Sequence, residues 1–330
     1  MPHFPVATHP DIKKIVEFKA NLTWRIRTYL REQGALEVPM PVLQATREGA
    51  PVDQWTTTDP HTGKRWYLRH CMEDHLRRVS IAHDRVFEIG KAIRADRRSP
   101  SHASEFLVLE LVFRRFTYEN GIDLIRGLYT EAIGPAADDV YGNGAAFRGI
   151  VTQRWRDILE QATGIDSHGD ELIADSKRWL TAHSITPERP YVTSWEVLED
   201  IMKHAVEPAC TLPTIITHFP AELCHVCTIE SGQSGQPRHA LRASSVVNGV
   251  ECSDGGIKFR GSTEYRQVYE TNAAYRETQL GLDGNHLPEE FFADLDTMTD
   301  ATFTTGMGID RIAALVSGND IQRVLIFPEG

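Results

Sequence analysis

The chain has 330 residues, enough for one large or two medium domains around a substantial core. With 41% hydrophobic and 25% charged residues it reads as an ordinary globular protein, without an apolar run of membrane-spanning length and without a signal-like apolar region in residues 1–14. A formal net charge of −11 argues against broad nonspecific nucleic-acid binding, and the expected compartment is the cytoplasm. The five cysteines (Cys71, Cys210, Cys224, Cys227 and Cys252) form no disulfide framework. Cys224 and Cys227, with Cys210 as a third thiol, could supply zinc ligands, but a C-x-x-C without a second pair reads as free thiols.

In chain order, Asp11 to Gln33 reads as a long helix, with Ile12, Ile15, Phe18, Leu22, Ile26 and Leu30 at near-helical spacing and Gly34 as its stop. Ala35 to Leu43 reads as a strand broken by Pro39 and Pro41, and so at a sheet edge. A hairpin is expected over Gln54 to Arg69, then a helix from Met72 to Val79 with Glu73 in its first turn. Val86 to Glu110 reads as a strand leading to Arg94, a basic polar loop, and a return strand Phe106 to Phe113 rich in β-formers. Taken alone, such a loop is usually only solvated, and phosphate binding is the rarer explanation. From Asn120 to about Thr193 the chain turns helical and polar, with Ile122 to Ala132 and Trp155 to Ala162 at helical spacing. Trp195 to His204 is another helix, Thr214 to Pro220 a strand, and Gln233 to Arg238 a mobile loop. At the end, Gly306 and Gly308 allow close backbone approach. Asp310 and Arg311 open an amphipathic helix, and Val324 to Pro328 reads as a short buried strand.

The Arg94–loop–Phe106 hairpin and the Gly306-x-Gly308-x-x-Arg311 junction resemble motifs 2 and 3 of the class II aminoacyl-tRNA synthetases. The N-terminal helix, strand and Pro41 are similar to motif 1, the dimer element of that family. Over Tyr67 to Arg78, Val86 to Gly90 and Leu212 to Pro220 the chain looks most like the lysyl-tRNA synthetase catalytic domain and the stand-alone lysine ligase of elongation factor P. The resemblance runs from about Asp11 to Pro328. It implies an α+β fold with an antiparallel sheet flanked by helices: one catalytic domain over 1–330, a helical insertion at about 120–205, and no anticodon-binding domain.

Carried over residue by residue, the resemblance implies ATP and Mg2+ as cofactors. Arg94 would clamp the α-phosphate and carboxylate, a task suited to a planar, permanent charge. Asp96 and His102 would serve the ATP site, Phe106 would stack on adenine, and Arg311 would hold the other end of ATP. Glu251 would bind magnesium. Glu73 and Glu110 would hold the substrate amino group, and Asp254, Lys258, Thr304 and Gly306 would complete the amino-acid site.

Four departures from the family pattern carry information. Asp96 replaces a glutamate. Ser244 stands where a second metal-binding carboxylate is expected, which would weaken one magnesium site. Thr304 replaces a pocket glycine and narrows the amino-acid site. Lys258 holds the position of the acid that grips lysine's ε-ammonium, and two ammonium groups 4 Å apart repel by about 4 kcal/mol at an effective dielectric near 20. Lysine is therefore not the expected substrate. An acidic, or at least carboxylate-bearing or neutral polar, amino acid is, unless Lys258 pairs with Asp254 and leaves the pocket.

These residues imply a dimeric ligase that forms an aminoacyl adenylate and passes the acyl group to a protein side chain, a carrier or a small amine rather than to tRNA. An ammonia-dependent asparagine-synthetase-like enzyme, the elongation factor P ligase and a catalytically inactive regulatory paralogue are the alternatives.

Overall fold

Helix α1 (Ile12–Glu32) turns Ile15, Phe18, Leu22, Ile26 and Leu30 inward, all of them buried. It ends at Gly34, whose φ of 77° suits a residue without a Cβ. The computed structural model describes residues 11–47, 49, 54–95, 99–224, 226–231, 238–282 and 288–327. The single strand expected over 35–43 is two short ones, β1 (Leu36–Glu37) and β2 (Leu43–Gln44). Pro39 and Pro41 lie between them and have no N–H to offer a ladder.

The expected hairpin follows as β3 (Thr56–Thr58) and β4 (Arg65–Leu68), then α2 (Glu73–Val79) and the long pair β5 (Arg85–Ile93) and β6 (Glu105–Arg114). The helical stretch opens at α3 (Tyr118–Gly127), where Thr117 and Asn120 form a capping box. It continues through α4 (Gly134–Tyr141), α5 (Ala145–Arg148), the short β7 (Val151–Arg154), α6 (Trp155–Thr163), α7 (Leu172–Ala182), α8 (Ser194–Ile201) and α9 (Glu207–Ala209). Then come β8 (Thr214–Pro220), β9 (Ile229–Glu230), β10 (His239–Val247), β11 (Val250–Ile257), α10 (Thr263–Tyr275), α11 (Glu289–Asp296), β12 (Thr302–Gly308), α12 (Ile309–Ser317) and α13 (Ile321–Val324).

The main sheet runs β1-β5-β6-β12-β11-β10-β8-β7, with β9 on β10. Its inner pairings are antiparallel, and only the outermost pairs, β1 with β5 and β7 with β8, are parallel. Strand alternation divides the residues between two faces. On β12, Phe303 and Met307 point into the core shared with α1 and α3. Gly306 faces the other way, directly between Glu110 of β6 and Asp254 of β11. On that second face, Met72 and Leu76 of the α2 region pack on Val86, Val108 and Val112.

One segment departs from expectation. Val324 completes α13, and Phe327 beyond it is exposed rather than part of a buried strand. Asp320 caps this turn by accepting the Arg323 N–H at 3.0 Å, which starts a helix where the apolar run alone suggested extension. Pro328 lies outside the described residues, as do positions 232–237 of the expected mobile loop.

A buried carboxylate ties the layers together. Asp310, fully buried, accepts the Leu107 N–H of β6 at 2.6 Å and pairs with Lys19 of α1 at 2.5 Å. Asp310→Ala leaves the Lys19 ammonium largely buried without its anion, so the expected loss is about 3–5 kcal/mol of unfolding free energy, read from urea titration of the two proteins.

Candidate active site

Strand β5 delivers Arg94 and strand β6 delivers Phe106 to one end of the sheet. The Arg94 N–H bonds to Ser104 O at 2.8 Å, closing the base of the loop, and its Nε donates to His70 O at 3.2 Å. The Arg94 guanidinium lies 5.2 Å from the centre of the Phe106 ring, within cation–π range. Behind it, Arg69 holds the sheet edge: its guanidinium grips Glu88 at 2.9 and 3.0 Å and donates to Met40 O and Lys91 O, each at 2.8 Å. A Cβ on Gly90 would fall 2.4 Å from Glu88 Oε1 and 2.5 Å from Arg69 Nη2, so only glycine fits beside this fork.

Arg311, in the first turn of α12, reaches across to the other strands. It donates to Glu251 O at 2.7 Å and to Ser101 O at 3.5 Å, linking the hairpin loop to β11. His102 is held in that loop, its Nδ1 at 2.8 Å from Ser99 Oγ and 3.0 Å from Ser101 Oγ. Asp96 lies outside the described residues.

The side of the candidate site expected to take the amino acid is built of paired charges. Lys258 meets Glu73 of α2 at 3.0 Å rather than Asp254, and both side chains are largely buried. Burial works against the Lys258 charge, but the Glu73 carboxylate outweighs it and lifts the ammonium above its ordinary range. Asp254 is taken by Arg242, whose Nε donates to it at 2.7 Å. Glu110 accepts the Met72 N–H, so it fixes the start of α2 as well as facing Gly306. Thr304 is buried on the same face, one pair of residues further along β12.

Three residues absent from the expected set belong here. Arg242, buried on β10, also approaches Glu199 at 3.6 Å and Glu251 at 3.9 Å, while its guanidinium lies 4.5 Å from the Phe219 ring. Glu199 and Glu207 come from α8 and α9 of the helical stretch. Burial, followed by the Glu251 and Glu199 carboxylates, pushes Glu207 up to about 7 against the opposing pull of Arg311 and Arg242. Burial and the Asp254 carboxylate likewise raise Glu251. The only sequence signal for Arg242 was a lone arginine within an otherwise apolar and small-residue strand. The two acids gave none.

Magnesium is commonly held by one or two carboxylates plus phosphate oxygens. Glu251, with Ser244 Oγ at 3.3 Å from its Oε2, fits a single ATP-borne ion of that kind. Among the described residues no group of three or more His, Cys, Asp or Glu is arranged around a metal position. Cys224 donates its thiol to Cys227 O at 2.7 Å, and His225 between them lies outside the described residues.

The Glu207 shift has a defined sign. A carboxyl raised from 4.5 to about 7 on folding contributes stability that is complete below 4.5 and lost as pH rises through 7. Glu207→Gln therefore melts higher than the parent at pH 8 and shows a flatter dependence between pH 4.5 and 8, measured by thermal unfolding across that range.

Comparison with known proteins places this geometry. The family described as tRNA synthetases class II (D, K and N) matches residues 3–330. The lysylphosphatidylglycerol biosynthesis bifunctional protein LysX of Rhodococcus opacus is 26% identical over 345 residues, covering 98% of this chain and 30% of that protein. Lysine–tRNA ligase of Trichormus variabilis is 25% identical over 331 residues, covering 97% and 58%. The corresponding ligase of Gloeobacter violaceus is 26% identical over 337 residues, covering 99% and 66%. The chain thus spans between under a third and about two thirds of the length of these relatives. Its mostly antiparallel sheet and the match along nearly its whole length agree: the chain belongs to the class II tRNA synthetases (D, K and N), a family of ATP-binding ligases.

Proposed function

We propose that this protein joins an amino acid to AMP and transfers the acyl group to an acceptor other than tRNA: a protein side chain, a carrier or a small amine. One observation carries the reading: Arg94, Phe106, Glu251 and Arg311 converge on one end of the sheet, with Arg94 on the Phe106 ring and Arg311 bridging the loop to Glu251. A relative named for a lipid-linked product, rather than for a tRNA, supports the choice of acceptor.

The amino-acid carboxylate attacks the α-phosphorus of ATP; a carboxyl O–P bond forms, the bond to the bridging oxygen breaks, and pyrophosphate leaves with that oxygen. Positioning and charge neutralisation account for this step without a protein nucleophile. Arg94 moves from the Phe106 ring to the α-phosphate as adenine takes its place on that ring. Arg311 fixes the nucleotide from the α12 side, and Glu251 with Ser244 would hold a magnesium ion, which would supply neutralisation of phosphate charge. In the second step the acceptor's nitrogen or oxygen attacks the acyl carbon, and AMP leaves.

Lysine is the wrong substrate for this pocket. Its ε-ammonium would meet Lys258, and the carboxylate that offsets that charge, Glu73, is the same one a substrate α-ammonium would draw on. We read the whole chain as one catalytic domain with the helical stretch of α3 to α9 as an insertion that lends Glu199 and Glu207 to the site. We further read it as a homodimer through α1 and β1, where Val16, Trp24 and Leu36 are exposed. The free cysteines and the ATP requirement favour the cytoplasm.

Amino-acid-dependent ATP–pyrophosphate exchange across aspartate, glutamate, lysine and β-lysine tests the first step. Exchange with a non-lysine substrate is expected, falling about 10²–10³-fold in Arg94→Ala and Arg311→Ala. Exchange with lysine alone would restore the lysine-ligase reading, and no exchange with any amino acid would overturn activation.

A further inference from the structure

Strand β11 breaks step once. Its pairing with β10 runs Ser244↔Asp254 and Ser245↔Ser253, then jumps to Val246↔Glu251 and Val247↔Val250, so Cys252 is the extra residue of a β-bulge. The two faces record the same shift. Cys252 is buried in the main core with Val247 and Ile257, and Ser253, also buried, turns the same way to meet Ser245. Glu251 and Asp254 both turn to the opposite face, where each approaches Arg242. Strict alternation counted from Asp254 would send Glu251 into the core and Cys252 into the site. The carboxylate suited to magnesium therefore stands on the site face because of one inserted residue.

A buried chain of hydroxyls lies against the bulge. Tyr129, fully buried, has its hydroxyl 2.9 Å from Ser245 Oγ, which in turn lies 2.6 Å from Ser253 Oγ. The same tyrosine hydroxyl bonds to the Cys252 thiol. From the site face, Ser244 Oγ donates to Ser253 O at 2.9 Å and reaches Glu251 Oε2 at 3.3 Å. Tyr129 belongs to a π-helical segment, Leu128–Ile133, between α3 and α4. Such segments are rare and are found frequently at functional sites. A widened helical turn and a bulged strand thus meet through side-chain hydroxyls, at the point where β11 changes phase.

We propose that Tyr129 is a positioning residue for Glu251: through Ser245 and Ser253 its hydroxyl pins the bulge at Cys252 and keeps the Glu251 carboxylate on the face that would take an ATP-borne magnesium ion. This rests on the ATP-dependent function proposed above and adds a residue that touches neither nucleotide nor metal. Without the hydroxyl, the bulge loses the bonds that fix it from the core side, and the carboxylate is no longer held beside Ser244. Arg311 shares the consequence, since it donates to the carbonyl of the same Glu251 at 2.7 Å.

Tyr129→Phe removes one oxygen and keeps the ring, and Ser245→Ala breaks the chain at its middle. Manganese(II) bound to the full chain with a non-hydrolysable ATP analogue, followed by electron paramagnetic resonance, reads the carboxylate without requiring turnover. Each variant is expected to bind manganese about tenfold more weakly than the parent, the low end for groups that orient a metal ligand. In a Glu251→Gln background, where the oriented carboxylate is gone, Tyr129→Phe should change the affinity by less than about twofold. A purely structural hydroxyl would lower the melting temperature and leave manganese affinity at the parent value, and that result overturns the proposal. An equal loss with and without Glu251 overturns it as well, because Tyr129 then acts by another route. Unchanged affinity in Glu251→Gln does the same. If manganese binding follows the series while no amino acid supports pyrophosphate exchange, the positioning role stands and the activation step fails alone.

Discussion

The carboxylate of Asp310 is the constraint on which the arrangement of this protein depends. A fully buried anion must be compensated, and three separate segments provide the compensation: the Lys19 ammonium from α1, the Leu107 N–H from β6, and the N-terminal turn of α12 in which Asp310 lies. Those segments correspond to the three motifs read from the sequence. Because Arg311 is the next residue, the same carboxylate fixes where the α12 guanidinium points, toward Glu251 O and Ser101 O. The Arg69–Glu88 fork does similar work beside the C-terminal half of β5, holding Met40 and Lys91 where Arg94 emerges. Two buried ion pairs far apart in the chain thus set the distance between the two site arginines.

The site itself is densely charged yet internally neutralised. Arg242 faces Asp254, Glu199 and Glu251, and Lys258 faces Glu73. The acidic excess of the whole chain has little bearing on a site in which the buried cations Arg242 and Lys258 each have a counter-charge within a few ångströms. Burial, reinforced by the Glu251 and Glu199 carboxylates, keeps Glu207 protonated more readily than usual, and burial with the Asp254 carboxylate acts on Glu251 in the same direction.

Most of the scaffold was legible because it rests on short-range periodicity. The apolar spacing in α1, the β-formers of β5 and β6, and the glycines around Arg311 each have a local physical cause. The C-terminal run from Val324 misled because a short apolar segment has no period of its own, and the Asp320 cap decided its conformation. In the candidate site, the motifs pointed to particular arginines and acids but not to the side chains that pair with them. Asp254 on β11 and Lys258 just past its end fall on the same face, yet four residues of extended chain separate them by about 13 Å. Asp254 instead meets Arg242 on the neighbouring strand, diagonal to it in the ladder. Register across a sheet, and the reach of α2, α8 and α9 over it, join residues whose separation in sequence carries no mark of contact.

The Lys258–Glu73 pair also has a consequence for how such a pocket changes over generations. Replacing either member alone strands a buried charge, and a reversal at Lys258 would set two carboxylates against each other. Paths that reverse the charge at these two positions must therefore cross a destabilised intermediate, or change both positions together. The pair acts as an epistatic lock, so the electrostatic character of the pocket is inherited as a unit rather than residue by residue.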